Sequence, residues 1–310
     1  MRMNRQILWV ALLGPIGIVG LSAQTPAIAA THTDSLSGGK QPANAKDFEL
    51  WRTQIRHALF IDDILPAVVP RSYGSFSPAA GVIAERFTYR TSYGMRVPAI
   101  VYRPTQGGKH RPGLVIVNGH SGDKTSWYAF YSGILYARAG VVVVTYDPVG
   151  EDERNSGRNS DTKAYDTFVP GAQMPQRMGG QMITDIMQGV GYLAQRSDVD
   201  PARIAVAGYS MGSFHAAIAG ALDSRIHALI LSGGGNLDGP GGYWDSSPKV
   251  MCQAGPYHAL EFLPDRGAVL YALNQRRGPP SSSMEQLTHL SLCHTPKNRS
   301  SKISAIEPRH

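Results

Sequence analysis

Cysteine is nearly absent from this chain. Cys252 and Cys293 are the two in 310 residues, enough for at most one disulfide and too few for a cysteine zinc cluster or a disulfide-stapled scaffold. Charge is sparse too: 17% of the residues are Asp, Glu, Lys or Arg, against roughly a quarter in ordinary soluble proteins. The first 30 residues and the last 30 each carry +2 of the net +7. The basic balance therefore sits largely at the two ends and does not describe a nucleic-acid-binding face. An unbroken apolar run of the roughly 20 residues that cross a bilayer is missing. So are a phosphate loop, a G-x-G-x-x-G fingerprint, a metal-ligand cluster and any internal repeat. What is present is a hydrophobic content of 42%, ample for a large core.

The start of the chain has its own character. Arg2 and Arg5 precede an apolar run, Ile7 to Leu21, interrupted by Gly14, Pro15, Gly17 and Gly20. Small-residue sites follow at Leu21-Ser22-Ala23 and Ala27-Ile28-Ala29. A basic start, a short apolar stretch and a small-residue exit describe a secretory signal peptide over residues 1–30. A periplasmic or secreted product, without stable membrane insertion after signal removal, is the expectation. Residues 31–45 are polar and read as a linker, and residues 46–280 as one folded domain.

Within that domain apolar strands alternate with helices. Phe87–Arg90 and Arg96–Tyr102 flank Ser92-Tyr93-Gly94 and predict a β-hairpin. Leu114–Val117, Val141–Tyr146, Ile204–Ala207 and Ala228–Leu231 are short, nearly uniform apolar runs. Between them, residues 125–138, a stripe from Met182 to Leu193, and Met211–Leu222 repeat apolar positions every three or four residues. Ala268–Leu273 fits a strand or a short helix. This pattern predicts an α/β fold, a mostly parallel sheet with helices on both faces. In such sheets ligands bind beyond the carboxyl ends of the strands.

One strand end carries a chemical signature. Gly208-Tyr209-Ser210-Met211-Gly212 is G-x-S-x-G between a strand and a helix, the setting of a nucleophile elbow. The same sequence also suits a glycine-rich turn with a capping serine. Ser210 is the candidate nucleophile. The backbone N–H of Met211, at the start of the helix, is placed to meet negative charge developing on a substrate oxygen. Asn118-Gly119-His120-Ser121-Gly122 closes an earlier strand, where this chemistry needs its second oxyanion donor, at Ser121 or His120.

From about Phe87 to Pro279 the chain resembles an α/β hydrolase of the bacterial acetylxylan-esterase and dienelactone-hydrolase-like group. The matching pieces are Gly119-His120 after the third expected strand, Tyr146-Asp147-Pro148-Val149-Gly150-Glu151 after the fourth, and the G-x-S-x-G turn. Asp200-Pro201-Ala202-Arg203-Ile204 before that turn and Leu222-Asp223-Ser224-Arg225-Ile226 after its helix also match. The resemblance implies hydrolysis of small acyl or acetylated-carbohydrate esters through an acyl-enzyme, with no cofactor, no metal and no nucleic-acid partner. Asp147 and Glu151 are expected to structure their loop.

The acid and base are not legible. In this fold they follow the serine, acid first. Asp238 is a weak acid candidate; His258, His289, His294 and His310 are possible bases, but none follows a convincing strand. His215 reads as packing, and Tyr243, Trp244 and Tyr257 as packing or pocket lining. Residues 281–310 contain no Gly, Val or aromatic residue and read as a disordered or out-of-frame tail. With TCN codons for its serines, Pro279–Thr288 read in another frame gives three apolar positions, one of Asn, Asp, His or Tyr, and then a glycine, as a missing strand and its turn require. Two other readings stand beside the esterase: a catalytically silent or truncated hydrolase fold, and a serine exopeptidase.

Overall fold

A computed structural model describes residues 45–91, 94–155, 174–232, 259–260, 262–263 and 266–275. Its centre is a seven-stranded sheet. The strands are β1 (Arg71–Ala79), β2 (Val82–Arg90), β3 (Arg96–Pro104), β4 (Arg111–Val117), β5 (Val142–Tyr146), β6 (Val199–Tyr209) and β7 (Ala228–Ser232). Their spatial order is β1-β2-β3-β5-β4-β6-β7. From β1 to β5 neighbours run antiparallel; β5, β4, β6 and β7 run parallel. The expected hairpin is β2–β3, paired without a break from Val82↔Pro104 to Arg90↔Arg96.

Among the described residues the α-helices are α1 (Ala45–Ala58), α2 (Trp127–Arg138), α3 (Met174–Ala194), α4 (Met211–Leu222) and α5 (Arg266–Gln275). Residues 268–273, open between strand and helix in the sequence, are helical. Among the described residues no helix is long and apolar enough to cross a membrane.

The parallel strands are buried on both faces, which is why they read as continuous apolar runs. Val115, Val117, Val142, Val144 and Val206 join α1, α3, α4 and α5 in the larger core cluster. Leu114, Ile116, Val141 and Val143 face the other way and meet Ala129 and Ala137 of α2. The apolar stripe expected on α2 is in fact two. Phe130 and Ile134 pack toward the sheet, whereas Trp127, Tyr131 and Leu135 face outward.

α1 closes the opposite end of the main core. It buries Phe48 and Ile55, with Leu59 just beyond its end, and its arginines reach across to carbonyls at the ends of two helices. Arg52 donates to Ala221 O (2.9 Å) and Leu273 O (3.1 Å), and Arg56 to Leu222 O (3.0 Å). These carbonyls belong to final turns that have no helical partner, and the guanidinium charge suits the negative end of a helix.

Candidate active site

β6 ends at Tyr209 and α4 begins at Met211, so one residue makes the turn. That residue is Ser210, at φ 51° and ψ −120°. A non-glycine residue held there carries strain of about 1–3 kcal/mol. Space explains its neighbours. A Cβ at Gly208 would lie 2.3 Å from Gly212 O, and a Cβ at Gly212 2.3 Å from Val117 O and 2.6 Å from Asn118 O. Both obstacles are backbone, so no side chain can swing aside. Ser210 itself is exposed, and its hydroxyl does not cap α4.

The turn is tied to the next strand by hydrogen bonds. Ser210 N–H donates to Ser232 O at 2.7 Å. The buried Ser213 hydroxyl lies 2.9 Å from both Gly208 O and Ser232 O, and its single proton serves either.

The end of β4 abuts this turn. A Cβ on Gly119 would come within 3.0 Å of Tyr209 O and 3.2 Å of Ser210 Cβ. Asn118 is buried and donates to Tyr146 O (3.1 Å), joining the ends of β4 and β5. The Gly119 N–H is taken by the Tyr128 hydroxyl (2.9 Å), whose pKa burial pushes up to about 12. The chain then reverses at Ser121, with φ 58°. His120 and Ser121 are exposed.

After β5 the organising principle is charge. Asp147 is fully buried and accepts hydrogen bonds from Lys124 Nζ (2.6 Å) and Lys124 N–H (3.0 Å). The same ammonium lies 2.6 Å from Asp152 and 2.8 Å from Glu153. The carboxylates of Asp123, Asp147 and Asp152 converge to within 4.8 Å of one another. Burial pushes Asp147 up to about 6, against the pull of Lys124. Burial works against the charge on Lys124, but its acidic neighbours outweigh it and hold the lysine above its ordinary value. Arg154 pairs with the buried Asp185 of α3 and donates to Asp147 O (3.1 Å). Asp147 thus structures its loop, as expected; Glu151 is buried in the same turn, its N–H donating to Pro148 O (3.2 Å).

The acid and base candidates Asp238, His258, His289, His294 and His310, and the aromatics Tyr243, Trp244 and Tyr257, lie outside the described residues. His110 and His227 precede their strands, at the far end of the sheet from Ser210. His215 is sealed inside α4, and burial pushes its ring down to about 3. Tyr128, Lys124 and Ser213 were not singled out in the sequence. Tyr128 hides in a helical apolar pattern, and Lys124 has meaning only once β5 lies beside β4.

Residues 43–232, more than half of the chain, match the profile of the acetyl xylan esterase family. No curated protein sequence matches the chain. A candidate acetyl xylan esterase from Bacteroides fragilis superposes with a TM-score of 0.51 at 18% identity, over 60% of this chain and 52% of that one. Acetyl xylan esterase 1 from Thermoanaerobacterium sp. gives 0.45 at 21%, over 62% and 59%. The acetyl xylan esterase from Paenibacillus sp. R4 gives 0.47 at 18%, over 64% and 63%. The chain therefore spans between 52% and 63% of the length of these three structures. The likeness to the first establishes a shared α/β-hydrolase fold.

Proposed function

The chain belongs to the acetyl xylan esterase family, and from that premise we propose that it hydrolyses carboxylic esters of small acyl groups through an acyl-enzyme on Ser210. The observation that carries this reading is the conformation of Ser210. A strained serine stands exposed between two glycines that have no room for a Cβ, and its hydroxyl is not spent on capping the helix.

In this reading Ser210 Oγ adds to the ester carbonyl, and the carbonyl electron pair moves onto oxygen. The oxyanion is held by the N–H of Met211, the first of α4 and without an intrahelical partner, and by an N–H at Ser121 or His120. The Gly119 N–H is engaged by Tyr128, so Tyr128 sets the path of the loop that brings the second donor in. Each such donor contributes about 3 kcal/mol to the transition state. The proton from Ser210 passes to a base and then to the departing alcohol. Water attacks the acyl-enzyme and releases the acid. The base is left unassigned, and Asp238, outside the described residues, is the weak candidate for the acid. The basic, apolar and small-residue pattern of residues 1–30 supports export, and acetylated carbohydrate is the substrate class that the family name favours.

The test is labelling of the full chain by a fluorophosphonate, with acetate release from acetylated xylan measured alongside. Labelling lost in Ser210→Ala is expected. Labelling that persists in that variant removes Ser210 from the chemistry. Labelling without acetate release, but with cleavage of peptide p-nitroanilides, turns the reading to an exopeptidase. Neither labelling nor turnover leaves a catalytically silent fold.

A further inference from the structure

The outward stripe of α2 is not explained by packing among the described residues. Trp127 is 77% exposed, Tyr131 57% and Leu135 44%. At intervals of four they share one face of the helix, running roughly 12 Å along its axis. The inward face already supplies the packing, through Ala129, Gly133 and Ala137. Large exposed apolar groups in a row mark a binding surface.

This stripe leads to the serine. The Trp127 ring lies 5.8 Å from that of Tyr128, and Tyr128 lies 5.0 Å from Tyr209. Tyr209 is 49% exposed and directly precedes Ser210. Charge narrows the choice of partner. Arg138, the last residue of α2, is the helix's single charged group, so the track offers nothing to an acidic polymer. Flat rings with polar edges bury apolar faces while leaving neighbouring hydroxyls to water, which suits the C–H faces of pyranose rings.

We propose that Trp127, Tyr131 and Tyr209 form a track that seats a neutral polysaccharide backbone and leads its acyl ester to Ser210. The choice of ligand rests on the esterase reading above. The track makes the substrate a polymer chain, held several sugar units from the scissile bond, rather than a free small ester.

Affinity electrophoresis through gels containing xylan tests it, with and without acetylation, using full-length Ser210→Ala to leave esters intact. Retardation in both gels is expected. Adding Trp127→Ala or Tyr131→Ala weakens it about tenfold, and Trp127→Phe largely restores it. Absence of retardation, or retardation unmoved by Trp127→Ala and Tyr131→Ala, overturns the track. It is equally overturned if Trp127→Ala leaves retardation unchanged and instead abolishes dimers or sedimentation with phosphatidylcholine vesicles. Fluorophosphonate labelling of the native chain reports separately on the esterase reading. Labelling without retardation keeps the reading and removes the track; retardation without labelling does the reverse.

Discussion

Ser210 and Asp147 stand at the carboxyl ends of two strands of one sheet, and they are held in opposite ways. Among the described residues the Ser210 turn has no charged partner. It is fixed by exclusion, with backbone on every side that a Cβ would enter, and by two serine contacts to Ser232 O. Asp147 is fixed by attraction, a buried carboxylate on a buried ammonium that two further acids share. Steric confinement is insensitive to pH and salt. Buried charge is sensitive to both and fails badly when one partner is lost. The position proposed to do chemistry is confined, and the position that ties its loop to Lys124 is charged.

The sharpest way to break this contrast is Lys124→Met. It strands Asp147 without its cation and is expected to cost about 3–5 kcal/mol, a fall in Tm on the order of 10 °C. The loss should ease on acidification. A carboxyl whose folded pKa is raised to about 6 binds its proton more tightly in the folded state. Stability is therefore lost as pH rises through the interval from 3.8 to 6 and regained as it falls. Denaturant unfolding of the variant at pH 4 and pH 7 measures this, and equal losses at both would refute the charge account.

Acid should act in the opposite sense through His215, on the helix behind Ser210. Its folded pKa is depressed to about 3, so the stability it supports is present above 6.5 and lost as pH falls toward 3. The loss at pH 4 is about 3 kcal/mol. His215→Leu is expected to flatten unfolding free energy over that interval, and a slope that survives the substitution would clear His215 of the effect.

Gly212→Ala should cost about 2–3 kcal/mol, with no dependence on pH between 5 and 8, because the obstacle is carbonyl oxygen and not charge. A thermal scan across that range reads it. The smallest effect is expected from Tyr128→Phe. Removing the hydroxyl leaves the Gly119 N–H without its acceptor, at about 1 kcal/mol of stability. It should also slow ester hydrolysis about tenfold through the displaced loop, in kcat rather than KM.

The parallel strands and α4 were legible because burial on all sides leaves no polar interruption: every residue from Met211 to Leu222 is buried, and the helix was expected at those limits. β1 was not foreseen. Arg-Ser-Tyr-Gly-Ser-Phe-Ser-Pro-Ala is polar and almost wholly exposed, and it is a strand because β2 offers it an antiparallel edge. The G-x-S-x-G turn was readable because its chemistry is local. The Tyr128–Gly119 contact joins residues nine apart, yet it depends on a turn at Ser121 that no propensity announces. The acid and base stayed illegible for a related reason: they are defined by strands to which residues 276–310 give no pattern.

The reach of α1 has a consequence for how the chain is made. Its arginines bind carbonyls 166, 169 and 221 residues later in the sequence. At synthesis rates of about 5–20 residues per second, the partners of α1 arrive on the order of ten seconds or more after the helix itself. Until then its apolar face has nothing of its own to cover, and contacts of such long range are slow to close. The first described helix in chain order is among the last to be seated, and an escort that keeps it from premature partners would act in that interval.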